Sequence, residues 1–365
     1  MKTHFLLLIA LLFVSSAGVR AAETDVLWYD KPAQDWMKEA LPIGNGRLGA
    51  MVFGGTASER IQLNEDTLWA GGPYDPSSPE ALEALPEARR LIFAGKFKEA
   101  HSLIGKKMMA RPLRQMPYQP VGDLLLSFPG HEAATEYRRE LNLDTAIASV
   151  SYIAGGAKYS RELFSSPVDQ VIVVRLSADK AGQIRFTATM ATPQKAAVST
   201  EGGDTLVMRG RNGDAQGIAG ALKYEARVRL LAQGGKITAG SDSLTVAGAD
   251  SATLLIAAAT SYKNWKDVSG DPEALAKGYL SKVEQKPFDD LRRDHVAEHQ
   301  RLFRRVTLDL GTSDAAGLPT DQRIANFANG NDPQLAALYF QFARYLLISC
   351  SRPGASHGSM AAPTL

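Results

Sequence analysis

The sequence predicts a mainly β protein, a large two-sheet antiparallel sandwich followed by helices, and three observations carry that prediction. From Val121 to Ala259, short alternating apolar and polar segments follow one another with Gly, Asp and Ser turns between them and no interleaved helical period. From Asp271 onward the apolar spacing becomes helical. With 365 residues, 45% hydrophobic and 22% charged, the chain has room for two domains, or for one large β domain with an appendage.

Taken in order, the first segment is not part of the fold. Met1-Lys-Thr-His supplies a positive end, Phe5 to Val14 an apolar run, and Val19-Arg20-Ala21 a small-residue cleavage site. Residues 1–21 therefore read as a secretory signal peptide, too short to favour a membrane anchor. Its removal takes Lys2 and Arg20 and leaves 39 basic against 39 acidic residues. A neutral mature chain carries no basic patch for nucleic acid and suits a neutral ligand such as a glycan. Cys350, the single cysteine, has no partner for an internal disulfide, so export points to a bacterial periplasm or exterior.

Residues 22–270 form the predicted sandwich domain. It opens with two glycine-rich loops, Leu41-Pro-Ile-Gly-Asn-Gly-Arg-Leu-Gly49 and Leu63-Asn-Glu-Asp-Thr-Leu-Trp-Ala-Gly-Gly-Pro73. Pro79 to Met109 has helical spacing that Pro86 and Gly95 divide into two shorter helices. After a Pro-rich connection, Ile147–Ile153 and Lys158–Phe164 read as a hairpin about Gly155-Gly156. Gln170–Leu176 is a mostly buried strand, and Tyr224–Leu230 alternates cleanly before a turn near Gly234-Gly235. Further strands are expected near Leu244 and Leu254.

Residues 271–311 are predicted to be a helical linker, with Asp271-Pro272 capping one helix and a second running from Phe288 to Arg305. Asp332-Pro333 then opens a helix with Leu335, Leu338, Tyr339, Phe342, Tyr345 and Leu346 on one broad face. That face needs a partner, and none follows Ser351, so Leu335, Phe342 and Leu346 are expected to be exposed.

The candidate binding residues are Arg47, Asn64, Glu65 and Trp69. In one reading, Trp69 stacks on a sugar while Asn64 or Glu65 hydrogen-bonds its hydroxyls, and Arg47 faces an interdomain groove. In the plainer reading, this stretch is a turn whose carboxylates bind backbone amides. Glu65 and Asp66 make a poor acid–base pair, because adjacent side chains point apart. Gly44-Asn-Gly-Arg-Leu-Gly49 lacks the βαβ context of a dinucleotide site, and its glycines permit a positive-φ turn and close packing. His295 and His299 share a helical face but have no third ligand nearby, so they read as solvated or interdomain-packed. Cys350 reads as an inert buried thiol. Trp28, Tyr29, Trp36, Tyr262 and Trp265 read as core in preference to a glycan platform.

The glycine loops, Gly122-Asp-Leu124, Asp294-His-Val-Ala-Glu-His-Gln-Arg-Leu-Phe303, Val306-Thr-Leu-Asp-Leu-Gly311 and Arg344-Tyr-Leu-Leu-Ile-Ser-Cys-Ser-Arg-Pro-Gly354 together resemble glycoside hydrolase family 95. The resemblance implies a β-super-sandwich, a helical linker and, from residue 312 to 354, the first helix or helices of an (α/α) barrel. It also implies inverting α-L-fucosidase activity on fucosylated oligosaccharides or polysaccharides, with no metal and no organic cofactor. The family's general acid is a barrel glutamate, and its water is activated by asparagines positioned by a barrel aspartate. None of the catalytic positions falls within this sequence, and residues 355–365 do not match the family's Asn- and Trp-rich continuation. The expectation is thus of a front portion, inactive alone; a non-catalytic glycan-binding or structural β-sandwich module is the alternative. Oligomeric state is left open.

Overall fold

The computed structural model describes residues 25–353. The signal peptide at 1–21, Gly354 and the tail at 355–365 lie outside the described residues. Strands β1 (Val26–Tyr29), β2 (Leu41–Gly44), β3 (Leu48–Val52) and β4 (Ser58–Glu65) precede a helical hairpin of α1 (Ala81–Phe93) and α2 (Phe97–Lys107). Twelve strands follow. They are β5 (Gly122–Ser127), β6 (Thr135–Asn142), β7 (Ile147–Ala154), β8 (Ala157–Ser166), β9 (Val171–Ala178) and β10 (Ile184–Ala191), then β11 (Lys195–Glu201), β12 (Thr205–Arg211), β13 (Lys223–Gln233), β14 (Lys236–Ala239), β15 (Ser243–Ala249) and β16 (Ser251–Thr260). Helices α3 (Pro272–Ser281), α4 (Phe288–Phe303), α5 (Thr320–Asn326) and α6 (Pro333–Cys350) complete the described chain.

The strands form two antiparallel sheets, as the alternating pattern predicts. The larger has the order β1-β6-β7-β8-β9-β16-β13-β12-β11, and the smaller β14-β15-β10-β5-β4-β3-β2. The first glycine-rich stretch is the β2–β3 hairpin and the second begins inside β4, so both belong to the smaller sheet. Leu63, Leu124, Phe186 and Leu244 meet Val150, Val174, Val228 and Leu254 between the sheets. A second apolar cluster lies on the other side of the larger sheet, where Phe164, Val173 and Leu255 pack against Leu280, Val283 and Leu291. Strand β16 is buried at all ten residues because it has apolar neighbours on both faces.

Charge is also buried between the sheets, at Glu59 and Arg161. Their ion pair is 2.8 Å long, and both side chains are almost wholly inaccessible. Arg161 lies over the Phe128 ring and donates to Tyr152 Oη at 2.7 Å and to Thr56 O at 2.9 Å, so its guanidinium is satisfied where water is absent.

The helical segments start where the sequence places them. Asp271 accepts from Ala274 N–H at 3.0 Å, with Pro272 in the first turn of α3. Asp332 accepts from Leu335 N–H at 3.0 Å, caps α6, and also takes two 2.8 Å hydrogen bonds from the Arg323 guanidinium of α5. His295 and His299 are packed, not solvated. Their Nε2 atoms lie 3.1 Å from Ala146 O and 2.8 Å from Leu143 O, and the ring of His295 stacks on Phe164. Among the described residues no helix is long and apolar enough to cross a membrane.

Helix α6 departs from expectation, because it has a partner. Leu335, Leu338 and Tyr345 are buried, and Phe342 and Leu346 are half-buried against the main core. Tyr345 Oη donates to Pro42 O at 2.7 Å, Arg344 donates to Phe303 O at 2.7 Å, and Arg352 pairs with Glu298 at 2.6 Å. At its end, Ser349 O accepts from the Gly46 N–H at 2.8 Å. The turn has glycine at positions 44 and 46 because the end of the helix comes close there. A Cβ on Gly44 would stand 2.8 Å from Ser349 O, and one on Gly46, at φ +92°, would stand 2.7 Å from Arg352 Cβ. The sandwich therefore covers part of this face, while Tyr339 stays exposed.

Two predictions concern these contacts. Burial holds the His295 imidazole at a pKa of about 3 and that of His299 at about 4, both below the unfolded value. Their stabilisation is complete above about pH 6.5 and is lost as pH falls toward the folded values. By pH 5 the loss is about 2 kcal/mol per histidine. The His295→Gln/His299→Gln double variant should flatten the stability-versus-pH curve over that range; parallel curves for variant and wild type would refute the assignment. Gly46→Ala should cost more in urea unfolding than Gly130→Ala by about 1–3 kcal/mol. Gly130 has a similar φ of +90° but nothing within 4 Å of its Cβ position, so equal costs would mean the α6 contact contributes nothing.

Candidate functional site

Asn64 and Glu65 end β4, where they face Gly49 and Leu48 of β3, and both are buried. The Glu65 carboxylate accepts from Thr67 N–H at 2.8 Å and from Thr67 Oγ1 at 2.7 Å. Burial, followed by the neighbouring Asp66 charge, pushes its pKa up to about 7, although Arg47 at 3.7 Å and the threonine bonds pull the other way. Asn64 Nδ2 is 3.5 Å from Gln62 O. This is the geometry of the plainer reading, a turn closed on its own backbone.

Arg47 projects from the β2–β3 turn and binds the opposite sheet. It donates to Ala258 O at 2.5 Å, to Gln170 O at 2.9 Å and to Gln170 Oε1 at 3.0 Å, and its guanidinium lies 4.2 Å from the Tyr279 ring centre. Arg47 is therefore a clamp joining both sheets to α3, and its donors are engaged by protein.

Trp69 is placed differently. It is half-buried, its Nε1 donates to Asp66 O at 3.1 Å, and its ring meets Tyr118 edge-on at 5.4 Å. It lines a groove of about 520 Å³ between the segment Asp66–Ser77 and the loop carrying Tyr262, Asn264 and Trp265. Trp265 is 63% exposed, Tyr262 37% and Trp36 40%, so three of the five aromatics read as core stand at the surface. Trp28 and Tyr29 are half-buried, each beneath an arginine, Arg138 and Arg139 respectively.

The sequence reading missed Asn212, which holds the Trp69 segment in position. Its Nδ2 donates to Trp69 O at 2.7 Å and to Gly71 O at 2.6 Å, while its Oδ1 accepts from Leu222 N–H at 3.0 Å. Gly72 packs against the segment after Asn212, where a Cβ would stand 2.8 Å from Ala221 Cβ. Nothing in the sequence joins Asn212 to Trp69 across 143 positions. Cys350 is buried, with Sγ 3.6 Å from Leu347 O.

Residues 27–265 match the family model described as glycosyl hydrolase family 65, N-terminal domain. Residues 287–361 match the glycosyl hydrolase family 95 catalytic domain, beginning at the start of α4. The chain is 36% identical to "Alpha-L-fucosidase 2" of Arabidopsis thaliana over 90% of its length and 42% of that protein. It is 30% identical to "Probable alpha-fucosidase A" of Aspergillus niger, with 90% and 43% covered. The protein of the same description from Aspergillus oryzae is 26% identical, with 91% and 48% covered. The chain thus spans somewhat under half the length of these relatives. A solved structure described as "Putative kojibiose phosphorylase from human microbiome" superposes with a TM-score of 0.52 at 8% identity, covering 90% of this chain and 42% of that one, and shares its fold.

Arg47→Ala should destabilise the chain by about 1–3 kcal/mol, because it removes the donors to two part-buried carbonyls and the cation beside the Glu65 carboxylate. Chemical denaturation measures the loss. Unchanged stability accompanied by weaker glycan binding would instead make Arg47 a ligand-binding residue.

Proposed function

The chain belongs to the glycoside hydrolases that carry a family 65-type N-terminal domain, and from that premise we propose that it is the sandwich and barrel-entry portion of an exported, inverting α-L-fucosidase. The observation that carries the reading is the 36% identity with an α-L-fucosidase across 90% of the chain, on both sides of the passage from sandwich to helices. The substrate is a terminal α-linked fucose on an oligosaccharide or polysaccharide.

In an inverting hydrolysis, an acid gives its proton to the leaving glycosidic oxygen as the C–O bond breaks. A base takes a proton from the water that attacks the anomeric carbon from the other side of the ring, across a gap of roughly 6.5–9.5 Å between the two groups. The catalytic domain, which this chain enters at residue 287, supplies both groups in this reading. The sandwich supplies the platform, and the engagement of Arg47 and Glu65 in internal contacts supports a positioning role for that turn. Export is part of the proposal and is supported by the apolar run from Phe5 to Val14.

One experiment tests the whole reading. A protein with this chain leading into a complete family 95 catalytic domain is expressed with its natural N-terminus, recovered after export and given 2′-fucosyllactose while proton NMR follows the anomers. The recovered protein should begin at Ala22 and release β-fucose first, and residues 22–365 alone should release none. An α-anomer, retention in the cytoplasm, or turnover by residues 22–365 alone would each overturn the corresponding part.

A further inference from the structure

We propose that the groove between the Trp69–Pro76 segment and the Tyr262–Val268 loop is a binding site for a neutral pyranose sugar. The proposal rests on the glycan reading above only for its choice of ligand class.

The groove has aromatic walls from two distant parts of the chain, Trp69 and Tyr74 on one side and Tyr262 and Trp265 on the other. Its volume of about 520 Å³ lies within the range of small-ligand sites, about 300–1,000 Å³. Flat aromatic rings offer apolar faces on which the C–H face of a pyranose can pack, while polar groups at the rim take its hydroxyls. Gln115, on the lining, is exposed and carries an amide suited to that role. The charged lining groups are two carboxylates, Asp66 and Asp75, against one ammonium beside them, that of Lys266 at 4.5 Å from the Trp265 ring centre, so the excess of negative charge disfavours an anionic sugar and not a neutral one.

Both walls are built in advance of any ligand. On one side, Asn212 holds the carbonyls of Trp69 and Gly71, and Ala70 N–H donates to Pro117 O at 2.9 Å. On the other, Trp265 stands on a loop closed by its own side chains. Asn264 Oδ1 accepts from Lys266 N–H at 3.0 Å and Asp267 N–H at 3.1 Å, and Asp267 Oδ1 accepts from Ser269 N–H at 2.8 Å. Val268 anchors that loop in the main core. An exposed tryptophan on a loop fixed in this way loses little further freedom when a ligand docks.

Calorimetric titration of the purified chain with L-fucose, D-galactose and 2′-fucosyllactose, with glucuronic acid as the anionic control, tests the proposal. At least one neutral sugar should bind saturably with Kd in the range of about 0.1–10 mM, and glucuronic acid should bind more weakly. Trp265→Ala and Tyr262→Ala should each weaken that binding about tenfold or more, and Trp265→Ala should do so without moving the thermal midpoint, since that side chain is largely solvent-facing. Trp36→Ala, on an exposed tryptophan outside the groove, should leave it unchanged. Absence of binding by every neutral sugar up to about 50 mM, wild-type affinity in Trp265→Ala, or equal binding of glucuronic acid would overturn it. Absence of sugar binding with fucose release by the complete enzyme intact would sink this inference alone, and sugar binding in the groove without any fucose release would sink the hydrolase reading alone.

Discussion

The helices that follow the sandwich are held to it by a contact between the two glycines of the β2–β3 turn and the end of α6. Only because Gly44 and Gly46 lack Cβ atoms can Ser349 O come within 2.8 Å of the Gly46 amide. That contact fixes where Tyr345 reaches Pro42 and where Arg352 reaches Glu298. Glu298 in turn lies on α4, whose two histidines bond the carbonyls of Leu143 and Ala146 between β6 and β7. A single turn of the smaller sheet thus determines how the chain leaves the larger one and enters the catalytic domain.

The residue after that turn works in the opposite direction. Arg47 reaches across to Gln170 and Ala258 of the larger sheet and rests on Tyr279 of α3. Further along the sheets, Glu59 and Arg161 meet where neither can be hydrated. A charge in such a place is tolerated only when its hydrogen-bonding capacity is used, and its loss leaves a partner stranded. Arg47 and Glu59 thus each tie the smaller sheet to the larger one.

Most of the fold was legible in the sequence because its signals are local. The hairpin about Gly155-Gly156, the two helices divided by Gly95, and the caps at Asp271 and Asp332 all rest on residues within a few positions of one another. The family resemblance was legible for the same reason, being carried by contiguous motifs. The partner of α6 was not legible, because the surface that covers Tyr345 is made by Leu41 to Gly46, some 300 residues earlier. Arg47 looked like a binding residue for a similar reason, since its carbonyl partners are 123 and 211 positions away. The placement of Trp265 depended on the conformation of its loop. An aromatic residue after a buried strand reads equally well as core or surface until the Asn264 and Asp267 side chains are seen to turn the chain outward.

The 303-position span between Pro42 and Tyr345 also has a consequence for the order in which the molecule is assembled. Strand β2 is the terminal strand of its sheet, and its turn is closed by a helix synthesised some 300 residues later. Every element between them can form while that closure is still missing. During that interval the turn lacks its contact with α6, and the rim of the sheet is open to pairing with another copy. Contacts of such long range are slow to form, since much of the chain must already be in place. The feature that gives the finished molecule its rigid joint is therefore also its point of greatest vulnerability in transit, and the time spent before residue 349 arrives governs how much protein is lost to self-association.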